Sequence, residues 1–172
     1  ILESVIDQLR ITHRYSKRGV FRNSYINYDE IPFIANISKS DDAQEYVIKY
    51  NSESKLSITN INKKTALFSF NKAFVLENDT IIINKSSAYN QINIGEEYTL
   101  NVNNAFNTFL ALRANIKLLP ITDAVLQLSI KGKDPVLNTK IIQTLLNTYN
   151  SDGIADNKII AESTSSFLKD RT

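Results

Sequence analysis

Asp134 to Thr172 reads DPVLNTKIIQTLLNTYNSDGIADNKIIAESTSSFLKDRT, and this stretch decides the fold. Ile141, Ile142, Leu145, Leu146, Tyr149, Ile160, Thr164, Phe167 and Leu168 recur at the spacing of one helix face, which predicts a long amphipathic helix. Asp134-Pro135 supplies its start. An Asp side chain accepts hydrogen bonds from exposed first-turn N–H groups, and Pro is tolerated at the first helical position. Burying Val136, Ile141, Ile142, Leu145, Leu146 and Tyr149 at roughly 1.5–3 kcal/mol each is of order 10 kcal/mol gross, an upper bound. The helix is therefore the expected anchor of the core. Gly153, within Ser151-Asp152-Gly153, costs about 1 kcal/mol against Ala inside a helix, so a kink or short break is expected there.

The apolar row continues to the last residues, the chain has no Met, and Ile1 heads another apolar-periodic stretch (Ile1, Leu2, Val5, Ile6, Leu9). Both ends read as cuts from a larger polypeptide. Ser16-Lys17-Arg18-Gly19 predicts a turn between two short extended pieces. From Pro32 to about Asn103 the pattern is β, with strands expected over Pro32 to Ile37, Glu45 to Tyr50, Lys55 to Ile58, Ala66 to Phe70, Ala73 to Leu76, Thr80 to Ile83 and Glu97 to Val102. Glu77-Asn78-Asp79 predicts a hairpin turn. Asn103 is expected to cap a helix reaching Arg113. Strands at Ala114 to Leu119 and Ala124 to Ile130 follow, the second alternating as a half-buried strand would. The order helix, strands, helix, strands, long helix predicts an α+β fold, a mixed sheet packed against N-terminal and long C-terminal helices with a β-rich insertion.

The chain has 172 residues, a net charge of +2, 42% hydrophobic residues and no Cys. That length suffices for one buried core. Cations and acids are interspersed without a basic stripe, which argues against nucleic acid. The apolar stretch from Phe109 to Ile121 is interrupted by Arg113 and Lys117 and cannot span a bilayer. Absent cysteines exclude disulfides, thiolate metal sites and thiol catalysis.

The catalytic inventory is thin. His13 is the single histidine, its neighbours Thr12 and Arg14 supply no orienting carboxylate, and it reads as a partly exposed structural residue. A hydrolase would need a convergent acid pair, for example at Glu96 or Glu97, and nothing in the pattern calls for one. Asp152, Asp156 and Asn157 lack the alternation and closing Glu of a calcium loop. No catalytic residue, cofactor or metal is expected. Phe68, Phe70 and Phe74 alternate as the buried face of a strand rather than a glycan platform. The N-x-S/T triplets at Asn36, Asn78 and Asn84 are expected by chance in so Asn-rich a chain. Asp156, Lys158, Glu162, Lys169, Asp170 and Arg171 line the polar side of the last helix. That is a solvated face or, equally in keeping with mixed charge, a lateral contact between identical subunits.

Leu145-Leu146-Asn147-Thr148-Tyr149-Asn150-Ser151-Asp152, Asp156-Asn157-Lys158 and Ala161 to Arg171 together resemble the polysaccharide co-polymerases. These are the chain-length determinant proteins and related bacterial tyrosine autokinases of capsule and exopolysaccharide export. The family pattern A-x-x-T-x-x-F-[IL]-x-x-[RQ] matches at Ala161, Thr164, Phe167, Leu168 and Arg171. The Ile1 to Leu9 helix, Tyr28-Asp29-Glu30-Ile31-Pro32-Phe33, and Val125 to Ile130 followed by Asp134-Pro135 are similar to further family pieces in the same order. The middle matches only loosely, as an insertion of the kind associated with Bacteroidetes-like bacteria. Ile31 departs from the usual small residue before Pro, Gly153 interrupts the helix, and Thr172 stands where the family continues with Leu.

The resemblance implies one periplasmic domain over residues 1–172, with 1–37 and 104–172 as an α/β base and 38–103 as the β-rich insertion. It implies membrane helices outside the sequence and a place on the periplasmic face of the inner membrane. The implied role is a non-catalytic scaffold that oligomerises and works with a polysaccharide polymerase and an outer-membrane export protein to set chain length. Subunit contacts are then expected from the last-helix charges, with Arg113 as an outlying candidate. The identity of the polysaccharide, the ring size, direct glycan contact and a following cytoplasmic kinase stay open. The competing reading is a secreted carbohydrate-binding or adhesin-type β module, with exposed aromatics lining a cleft.

Overall fold

Alternation writes most of the architecture. In Tyr46, Ile48 and Tyr50, and in Leu56 and Ile58, every second side chain is buried, as in strands with one covered face. The computed structural model describes residues 1–19, 21–38, 43–123 and 125–169, and of 91, 155–157 and 159–169 it describes the backbone alone. In chain order the elements are α1 (Leu2–Leu9), β1 (His13–Lys17), β2 (Ser24–Tyr25), a 3-10 turn (Tyr28–Glu30), β3 (Phe33–Ile37), β4 (Gln44–Ser52), β5 (Lys55–Asn60), β6 (Thr65–Ser69), β7 (Phe74–Leu76) and β8 (Asp79–Lys85). A second 3-10 turn (Tyr89–Gln91), β9 (Glu97–Val102), α2 (Ala105–Asn115), β10 (Ile116–Thr122), β11 (Val125–Ile130) and α3 (Pro135–Lys169) complete it. The fold is α+β with a β-rich body.

Two sheets, ordered β2-β1-β9-β4-β5-β6 and β3-β8-β7, face each other across one core. Tyr15, Phe33 and Tyr98 stack edge to face within it, and the Ala35 N–H donates to the Tyr15 hydroxyl across the sheets at 2.9 Å. Tyr46 donates to Asp79 at 2.7 Å and Asn60 to Glu77 at 2.7 Å, so the sheets are also pinned through polar tips. The expected mixed sheet is corrected: every pairing among the described residues is antiparallel. Links such as Glu53-Ser54 are too short for the crossover that parallel neighbours require. Strands β1 and β3, expected with the base, take ladder partners from β9 and β8 and bury Tyr15, Phe33 and Ala35 in the β core.

A second, smaller core joins the helices. Val5 and Ile6 of α1, Leu112 of α2 and Ile141 of α3 are buried together, flanked by Phe109, Ile116, Ile130, Leu137 and Leu145. The cap of α2 is Asn104, one residue beyond the expected Asn103, and its side chain accepts from Asn107 N at 3.0 Å. Helix α3 runs through Ser151-Asp152-Gly153 without the expected break. Space around Gly153 is open on the side a Cβ would take, so nothing there forces the helix to stop. Among the described residues, no helix is long and apolar enough to cross a membrane.

Candidate interaction surface

Asp134 joins the two cores. It is buried, one carboxylate oxygen accepts Leu137 N at 2.9 Å as the cap of α3, and the other accepts Tyr28 N at 2.7 Å and the Tyr25 hydroxyl at 3.4 Å. Lys140, nearly two turns along, lies over the Tyr28 ring at 5.2 Å. A charge-assisted acceptor with three donors is a rigid fastening, so α3 leaves the β body in a fixed direction.

Along α3 the cover runs out. Ile141 is buried, Val136, Ile142 and Leu145 are half-buried, and Leu146 and Tyr149 are exposed, Tyr149 by 64%. The anchor expected from six buried side chains is thus smaller, because α1 has only eight residues and packs on the first turns alone. Ile154 is also exposed, by 70%, but at helical period it falls on the side of α3 away from this row. Thirty-five residues make a helix roughly 50 Å long, most of it beyond α1.

The β10–β11 ribbon repeats this geometry. Ile116 faces Ile130, Leu118 faces Leu128 and Pro120 faces Leu126, which sets six apolar residues on one side of the ribbon. The first pair joins the helical core, while Leu118 and Leu126 are exposed, Leu126 by 63%. Leu119 and Ile121 put further exposed apolar groups on the opposite side. Half-burial expected along the whole of the second strand is confined to Leu128, Ser129 and Ile130. Neither β10 nor β11 has another strand partner among the described residues, so both backbone edges are open to pairing.

The charged candidates are scattered. Arg113 is exposed in the last turn of α2, where a cation suits the helix C-terminus. Lys158 is exposed on α3, and Asp156, Glu162 and Lys169 lie on its backbone with side chains that are not described. Asp170 and Arg171 fall outside the described residues. From Leu145, where α1 contact ends, to residue 156 the helix rises about 16 Å, so Arg113, beside the core residue Leu112, is not brought together with them. Sequence reasoning passed over the apolar residues of the ribbon. Their signal was Leu118-Leu119-Pro120-Ile121, where consecutive apolar positions place such groups on both faces.

His13 is half-buried, its Nδ1 2.9 Å from the Thr12 hydroxyl and its Nε2 enclosed without a partner among the described residues. Burial first, then the nearby Arg10 charge, lowers its pKa to about 4. Burial would raise Glu96, but hydrogen bonds from Lys17, Tyr98 and Asn93 outweigh it and hold the carboxyl at about 2, ionised at neutral pH. Glu97 pairs with Arg18 and Lys49. Phe68 and Phe70 are buried and Phe68 stacks on Phe74 at 4.0 Å, so these rings are core. Asp152 lies in uninterrupted helix, and among the described residues no three metal-ligating side chains cluster. Comparison with protein-family models and with curated proteins finds no match to this chain.

Proposed function

We propose that this chain is the periplasmic scaffold domain of an inner-membrane polysaccharide co-polymerase. It regulates the length and export of a capsular or exopolysaccharide by assembling around the polymerase and export machinery, and it performs no chemistry itself. One observation carries the reading: the apolar faces of α3 and of the β10–β11 ribbon continue past the core that covers them. Apolar faces left exposed in this way are a recognised mark of interaction sites, contacts between proteins among them. The β11 and α3 parts of this surface lie within residues 125–171, a stretch that resembles the co-polymerases, and β10 immediately precedes it. The β-module alternative would draw its glycan platform from Phe68 and Phe70, and both are buried.

The test is the sequence of the intact polypeptide on both sides of residues 1–172. An apolar span of roughly 20 residues before the domain, and another after a continued helix, is the expected result. A cleavable leader with no second span would contradict the proposal and favour the secreted module.

A further inference from the structure

One end of the β body combines apolar loop tips with a collar of cations. The loop after β1 doubles back so tightly that a Cβ on Gly19 would collide with the Arg22 carbonyl, and it carries Phe21 at its apex, 100% exposed. The loop before β9 lies beside it, since Arg18 N donates to Glu97 O at 2.8 Å, and it carries Ile94, 69% exposed. Lys17 pairs with Glu96 at 2.6 Å, while Arg18 and Lys49 share Glu97 at 3.2 and 3.4 Å. With Arg22, and with Glu53 and Lys55 of the β4–β5 turn at the same end, five cations meet three carboxylates, so the end is net positive.

We propose that this end of the β body docks on the headgroup layer of an anionic phospholipid bilayer. Phe21 and Ile94 enter the interface, and Lys17, Arg18, Lys49 and Arg22 face the phosphates. The shape selects this occupant. The apolar groups are convex tips, which a yielding bilayer accepts and a polymer stacking on an aromatic platform does not. Phe and Leu-like side chains bury into the headgroup–acyl boundary, and basic residues near an anionic surface add attraction that falls off within a screening length. With two apolar tips the contact is weak and reversible in the detached chain. It is independent of self-assembly, so its failure leaves the scaffold proposal standing, and the reverse.

The experiment is co-sedimentation of residues 1–172 with phosphatidylglycerol vesicles, with phosphatidylcholine vesicles and soluble polygalacturonate as comparison probes. Binding to phosphatidylglycerol alone is expected, released by salt. Phe21→Ser with Ile94→Ser should weaken it about tenfold, and Arg18→Gln with Arg22→Gln by a similar factor. All four positions are on the surface, so matched thermal unfolding of the variants separates binding from folding. No binding to phosphatidylglycerol, binding that survives both double variants, or binding to polygalacturonate in place of vesicles would overturn the proposal.

Discussion

His13, half-buried, and Asp134, buried, are polar residues with opposite roles. The imidazole is held at about 4, first by burial and then by Arg10, against an ordinary 6.5. Because the unfolded chain binds the proton more readily, stability is full above about 6.5 and declines as the pH falls from there toward 4. The whole shift is worth about 3 kcal/mol at most. Glu96, held at about 2, gives up its contribution only as the pH falls below its ordinary 4.5. The two windows therefore separate. Urea midpoints measured from pH 7 to 5 should fall steadily for the native chain and stay nearly level for His13→Gln. Equal slopes would remove His13 from the explanation. At Asp134, replacement by Ala uncaps α3 and strands the Tyr28 N–H, so a loss of about 2–4 kcal/mol in equilibrium unfolding is expected. Asn keeps one acceptor oxygen and should lose about half as much.

At the scale of elements, α3 shows what local pattern does and does not disclose. Its start at Asp134-Pro135 and its length were legible, because cap chemistry and helical period are local. The expected break at Gly153 is absent: a glycine weakens a helix without ending it when its flanks hold the period. Gly153→Ala, into open space, should stabilise this part of α3 by about 1 kcal/mol and slow amide exchange near residues 150–156 several-fold. Unchanged exchange would indicate that the glycine is not the weak link. Strands β4 to β9 were legible from alternation within a few residues. The partners of β1 and β3 were not, since a strand carries its faces in its sequence but not the neighbour it will find dozens of residues away. Exposure of Leu118, Leu126, Leu146 and Tyr149 was equally hidden. Period states which residues share a face, and only tertiary packing states whether another layer covers it.

At the scale of the molecule, a well-covered β body is fastened through Asp134 to a small helical core whose helix and ribbon reach beyond it. Burial is unequal. The β core encloses Tyr46, Phe33, Ile48, Leu56 and Ile58 almost completely, while the helical core encloses four residues. A monomer gains nothing from apolar faces extended into water, and copies that lay those faces together would bury them at roughly 25 cal/mol per Å². The most direct measurement places benzoylphenylalanine at Tyr149, and separately at Leu126, in the full-length protein in its native cells and irradiates it. The scaffold proposal predicts a ladder of multimers of this same chain from both positions. Only monomer, or adducts with other proteins alone, would contradict it.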